Sequence, residues 1–138
     1  MEWKDEYSVG IPEIDSEHRI MAEYVTGVER AVANNEVGLA IGSAIGRLAS
    51  FTVAHFSFEE TLMRIHEYPG MDDHVQSHRQ FVSQLKEIQE QATAGASPEE
   101  IVRFLQTWLE KHFLADDRIY ASSLSEKTRE RIRKYVSS

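Results

Sequence analysis

Three pairs of metal-capable side chains stand at helical spacing in this chain: His55 with Glu59, His74 with His78, and His112 with Asp117. A single histidine, His18, precedes them. Residues four apart lie on one helical face about one turn apart, so the first two pairs can each aim at one point. Their surroundings make this restrictive. Each falls on the apolar seam of its segment, where an imidazole or carboxylate buried without a partner costs several kcal/mol. A fold that accepts all seven must bring them to one depth, where they satisfy one another or hold metal. One core histidine is ordinary; five of the chain's six histidines and two carboxylates, on four segments, read as one binuclear metal site.

The apolar positions around these residues repeat with helical period, with turn chemistry between the runs. The expected fold is all-α: an up-down-up-down four-helix bundle with an N-terminal arm and a short C-terminal helix, one domain over residues 1–138. The first helix, about 15–34, starts at Asp15 or Ser16 as N-cap and lines up Ile14, His18, Met21, Val25, Val28 and Val32. The second, about 37–66, carries Ile41, Ile45, Leu48, Thr52, His55, Glu59 and Leu62 and stops at Tyr68-Pro69-Gly70. The third, about 71–93, has the seam Met71, His74, His78, Phe81, Leu85, Ile88 and Ala92. The fourth, about 98–117, opens on Ser97-Pro98-Glu99-Glu100 as a capping box and turns Ile101, Leu105, Trp108 and His112 inward. A last helix, about 123–136, is capped by Ser123-Leu124-Ser125-Glu126 and aligns Leu124, Thr128, Ile132 and Tyr135; its basic residues, Lys127 among them, read as a solvated face. Trp3, Tyr7, Val9, Ile11 and Ile14 lack helical period and read as an arm laid against the bundle.

A net charge of −8 opposes phosphate backbones and anionic membranes. With no cysteine, disulfides, thiolate ligands and cysteine nucleophiles are excluded. No basic leader precedes an apolar run, and no apolar stretch is read as approaching the ~20 residues that span a bilayer. The expectation is a cytoplasmic protein with neither nucleic-acid nor membrane partners.

Nitrogen and oxygen donors without sulfur suit iron, manganese or zinc. Two octahedral ions offer twelve positions; five imidazoles take five, two bridging carboxylates four and a solvent-derived bridge two, leaving one open. One open position on a redox-active pair is what a small diatomic ligand needs. The ferritin-like alternative uses Glu-x2-His on two helices, and no glutamate here has a histidine three residues later. One point stays open on spacing. Asp116 lies nearer the face of His112 on an ideal helix than Asp117, which is rotated by roughly 140° from it.

A single His, then His-x3-Glu, His-x3-His and His-x4-Asp resembles the hemerythrin family, in the form of a stand-alone bacteriohemerythrin. The resemblance covers nearly the whole chain, and the arm from Glu2-Trp3 to Ile14-Asp15, with Tyr68-Pro69 before the third helix, is similar to bacterial members. It implies two iron ions under an oxo or hydroxo bridge, with His74, His78 and His112 on one and His18 and His55 on the other, which keeps the open position. Glu59 and Asp117 would bridge, so the resemblance favours Asp117 over Asp116 and requires the helix to end or bulge there. It further implies reversible dioxygen binding for carriage, storage or delivery, without catalysis. Oxygen would take two electrons from the pair and the proton of the bridging hydroxide, and leave as it came.

Spacing and resemblance together assign Met21, Phe56, Trp108 and Leu114 to the walls of the oxygen pocket. The resemblance places Glu17 and Tyr120 where they can hydrogen-bond near the site. Glu60 reads as solvated, and His66 as a surface residue or a support behind the ligands. The expected partners are dioxygen and a protein that receives it. The rival functions on the same bundle are an enzyme reducing oxygen or nitric oxide or repairing iron centres, and an oxygen sensor acting through a partner.

Overall fold

Proline sets the start of two helices. Pro12 and Pro98 stand in the first turns of α1 (Pro12–Ala33) and α4 (Pro98–Lys111), where a missing N–H breaks no helical bond. α1 thus begins before the Asp15 start read from the sequence. Asp15 is an interior residue, and its buried carboxylate turns back to the arm, accepting the Val9 N–H at 2.8 Å and the Ser8 hydroxyl at 2.5 Å. Ser97 does precede α4, but its hydroxyl donates to Glu99 Oε2 at 3.4 Å and caps no backbone N–H.

The computed structural model describes residues 1–124 and 126–137, the side chains of 126, 127 and 135–137 excepted. Ser125, expected to help cap the last helix, and the side chains of Lys127 and Tyr135 therefore lie outside the described residues. α2 (Gly38–Ile65) and α3 (Met71–Thr93) complete the bundle. Short connections make consecutive helices antiparallel, and α1 packs on α2, α2 on α3, α3 on α4 and α4 on α1. The secondary structure of the described residues is entirely helical. Past α4 the chain runs without a break through a π turn, His112–Asp116, into α5 (Asp117–Ser122), and α6 (Glu126–Ser137) follows. In the arm, Asp5–Tyr7 form a 3-10 turn whose Tyr7 ring, with Trp3, packs against Phe113.

α2 corrects the composition reading. By length and composition it is long and apolar enough to cross a membrane. The bundle accounts for that apolarity differently: α2 packs on both α1 and α3, burying Ile41, Ile45, Leu48, Phe56 and Leu62 together with His55 and Glu59. Gly42 lets α3 come close, since a Cβ there would stand 2.8 Å from Thr93 Oγ1.

The buried apolar residues form two groups with a polar layer between them. Met21, Val25, Leu48, Phe81, Leu85, Leu105 and Leu109 belong to one, Ile14, Leu62, Met63, Tyr120 and Ile132 to the other. On α1 and α3 most of the first group follows the histidines in sequence, and on α2 and α4 most of it precedes them, which in antiparallel helices puts it at one end. Phe56 and Phe113 of the same group lie level with the histidines, stacked on His78 and His18. The polar layer is His18, His55, Glu59, His74, His78, His112 and Asp117, each at most 6% exposed.

Candidate metal centre

All seven residues converge. The candidate ligand atoms of His18, His55, Glu59, His112 and Asp117 lie within 4.8 Å of one another, and so do those of Glu59, His74, His78, His112 and Asp117. The carboxylates tie the halves together. Glu59 Oε1 is 2.6 Å from His55 Nε2 and 3.3 Å from His112 Nε2, while its Oε2 is 3.7 Å from His74 Nε2. Asp117 Oδ2 is 2.7 Å from both His18 Nε2 and His112 Nε2, and its Oδ1 is 2.9 Å from His74 Nε2.

A local change of helical pitch puts Asp117 there. The Asp117 N–H bonds to the His112 carbonyl, five residues back, so one extra residue is taken into this turn. Residues five apart then share a face, and His112 and Asp117 meet where a regular helix would have offered Asp116. Asp116 stands behind the imidazole instead, its Oδ2 3.8 Å from His112 Nδ1 and 3.4 Å from the Ser77 hydroxyl.

The donor set fits metal ions better than it fits itself. His18 Nε2 and His55 Nε2 face each other at 3.1 Å, an arrangement in which two neutral imidazoles offer two lone pairs or one bond. His74 Nε2, His78 Nε2, Glu59 Oε2 and both Asp117 oxygens are buried without a properly directed hydrogen bond. Short distances with unsatisfied directions are expected of atoms aimed at a common centre. Both carboxylates titrate well below their usual range, because the surrounding imidazoles outweigh burial, which pushes the other way. They stay ionised and supply the anionic charge that buried cations need.

Proton affinities of the imidazoles are split by the same packing. Burial alone would lower His55, but the Glu59 carboxylate and the bond to Glu17 raise it to about 9. His74 goes the same way, to about 9, against burial and through Asp117 and Glu59. His78 falls to about 4, mainly by burial, with the neighbouring His112 and His74 adding to the fall. Burial also lowers His18, despite the pull of Asp117.

Behind the cluster, carboxylates hold the far ring nitrogens. His55 Nδ1 donates to Glu17 Oε1 at 2.8 Å, so Glu17 serves the histidine across from it and not its chain neighbour His18. His78 Nδ1 donates to Glu60 Oε2 at 3.0 Å, which corrects the reading of Glu60 as solvated: it is half-buried in the α2–α3 seam. Such bonds fix tautomer and ring orientation, leaving Nε2 free to ligate. Tyr120 is fully buried beneath the site, its ring 6.2 Å from that of His74, and its hydroxyl has no partner. His66 caps the end of α2, outside the cluster.

The four residues assigned to a pocket are spread out. Phe56 lies flat on His78 at 3.7 Å between centroids, and Trp108 stacks on His112 at 4.9 Å, so each covers a histidine of the cluster. Met21 is fully buried in the core at the end that holds Leu109, and Leu114 is a partly buried residue of the π turn. The ring on His18 is Phe113, at 4.4 Å, a residue missed in the sequence because its position falls off the seam of a regular helix.

The sequence pattern described as the hemerythrin HHE cation binding domain matches residues 9–124. The chain is 31% identical over 123 residues to the bacteriohemerythrin of Stenotrophomonas maltophilia, covering 88% of this chain and 80% of that one. It is 30% identical over 132 residues to the bacteriohemerythrin of Pseudomonas aeruginosa, 95% of this chain and 86% of the other. With the myohemerythrin of Riftia pachyptila it shares 26% over 122 residues, 88% and 92% of the two chains.

Proposed function

This chain belongs to the hemerythrin family, and we propose that it binds dioxygen reversibly at a pair of iron ions, for carriage, storage or delivery and without turning over a substrate. The observation that carries this reading is the span of the two carboxylates. Glu59 and Asp117 each stand against histidines of both halves, as residues bridging two ions must.

His74, His78 and His112 would hold one ion and His18 and His55 the other, with Glu59 and Asp117 shared. When bound, the pair supplies the two electrons that dioxygen takes up and gives back. The chain's own part is to hold donors and exclude water. Two imidazoles on one half against three on the other leave that half with a position to spare. Phe113 stacks on His18 of that half, and Met21 and Leu109 are fully buried about one turn from His18 and His112, so apolar side chains would keep solvent and acids away from a bound ligand. Glu17 and Glu60 hold the imidazoles of His55 and His78 from behind.

Metal analysis together with oxygen uptake tests the reading. Two irons per chain and one dioxygen per iron pair in the reduced protein are expected. One ion per chain, zinc in protein made with ample iron, or no uptake of oxygen would count against it.

A further inference from the structure

One layer of side chains adjoins the ligands at the Met21 end. It takes one residue from each bundle helix, and each lies three residues from a histidine of the cluster: Met21 after His18, Thr52 before His55, Phe81 after His78 and Leu109 before His112. Because neighbouring helices are antiparallel, these offsets point the same way, and three residues correspond to about 4.5 Å along a helix axis. All four side chains are fully buried. Three are apolar, and the fourth carries a hydroxyl.

That hydroxyl has no hydrogen-bond partner. Three other helical threonines satisfy themselves on the carbonyl four residues back: Thr26 on Ala22 at 3.1 Å, Thr61 on Ser57 at 2.8 Å, Thr93 on Gln89 at 3.1 Å. Thr52 makes no such bond. A buried hydroxyl left without a partner is destabilising, and valine would fill the same space without it. Met21 and Thr52 are the members of this layer on the helices that carry His18 and His55, each about one turn from its histidine and displaced the same way along the bundle. A ligand extending from that half toward this layer would therefore meet methionine, phenylalanine, leucine and one donor.

We propose that Thr52 is the polar determinant of the ligand pocket: its hydroxyl donates a hydrogen bond to a small anionic ligand held at the two-histidine half. This rests on the di-iron reading. The ligand class is a linear or diatomic anion with an acceptor at its outer end, for which azide is the probe. The donor leaves dry walls on the other helices untouched, so it selects for a ligand that carries charge outward over one that does not.

The test compares wild type, Thr52→Val and Thr52→Ser in the iron-loaded, oxidised protein. Iron content is measured first, azide affinity by optical titration, and thermal unfolding without azide. Thr52→Val should keep its iron, bind azide about tenfold more weakly, and unfold at no lower temperature than wild type, since it loses an unpaired hydroxyl. Thr52→Ser, which keeps the donor, should bind azide within about twofold of wild type. A valine variant that binds azide as wild type does overturns the proposal. So does one whose weaker binding comes with lower melting and lost iron, the pattern of a packing residue. A wild-type protein with two irons that takes up no azide overturns the Thr52 assignment alone, whereas one without an iron pair overturns the di-iron reading beneath it.

Discussion

His112 and Asp117 face one another at 2.7 Å because the helix between them widens into a single π turn, closed by the Asp117 N–H on the His112 carbonyl. The extra residue turns Asp117 into the cluster and leaves Asp116 behind the His112 ring. The two aspartates should therefore separate cleanly on mutation. Asp117→Ala should lower iron content to one ion or fewer per chain, and Asp116→Ala should retain two with only a weakened hold on His112. Metal analysis of both variants checks this, and an exchange of the two phenotypes would move the bridge to Asp116.

Glu17 and Glu60 hold the Nδ1 sides of His55 and His78. Replacing either by alanine should lower iron affinity by about 10- to 100-fold, the usual cost of losing a carboxylate behind a ligating imidazole. Competition with a chelator measures it. Glu67→Ala, at an exposed turn position, serves as control and should change nothing. Equal affinities for all three variants would show that the far ring nitrogens do not matter.

The pH response of the metal-free protein follows from the split imidazoles. His55 and His74, raised to about 9 from 6.5, hold protons in the folded chain that the unfolded chain releases. Their stabilisation is complete below about 6.5 and is lost as pH rises through about 9. His78, lowered to about 4, has the opposite sign and costs stability as pH falls from 6.5 towards 4. Melting temperature without metal should thus decline on both sides of a maximum near pH 6.5, most clearly from about pH 7 to 9. Iron displaces those protons, so the loaded protein should not show the alkaline decline. Thermal unfolding by circular dichroism in both forms decides, and a flat metal-free profile over that range would contradict the account.

Asp15 ties the arm to α1 by accepting from Val9 and Ser8. Asp15→Ala leaves the Val9 N–H without its buried partner and should destabilise the fold by about 1–3 kcal/mol in urea unfolding. Trp3 packs against Phe113 over the two-histidine half, so its fluorescence should shift to the red as the arm loosens. An unchanged stability and spectrum would show that the arm is held by its apolar residues alone.

What could be read from the sequence was whatever obeys a regular helical period. His18, His55, Glu59, His74 and His78 lie on straight α-helical seams, and their convergence follows from the spacing. Asp117 does not, because no periodicity announces a π turn; plain geometry chose Asp116, and only the family resemblance chose otherwise. Glu60 reads as solvated for a related reason. One step round from Glu59 looks like solvent on an isolated helix, yet on α2 that step faces α3 and reaches His78. A second acid directly after a carboxylate on the buried seam is the available signal. The start of α1 was hidden by a capping residue that faces the arm, although Pro12 marked the first turn. The apolarity of α2 is hard to read from single stretches because His55 and Glu59 interrupt it, although the helix as a whole is long and apolar enough to cross a membrane.

Reversibility tests the central claim most directly. The protein is reduced without air, exposed to oxygen and returned to inert gas, with its optical spectrum followed through several cycles. The account predicts a colourless reduced form, a visible band that grows with oxygen, and recovery of the colourless form on gas exchange. Steady consumption of oxygen with a simple reductant, or a spectrum that never returns to the reduced form, would contradict a carrier and point to an enzyme on the same bundle.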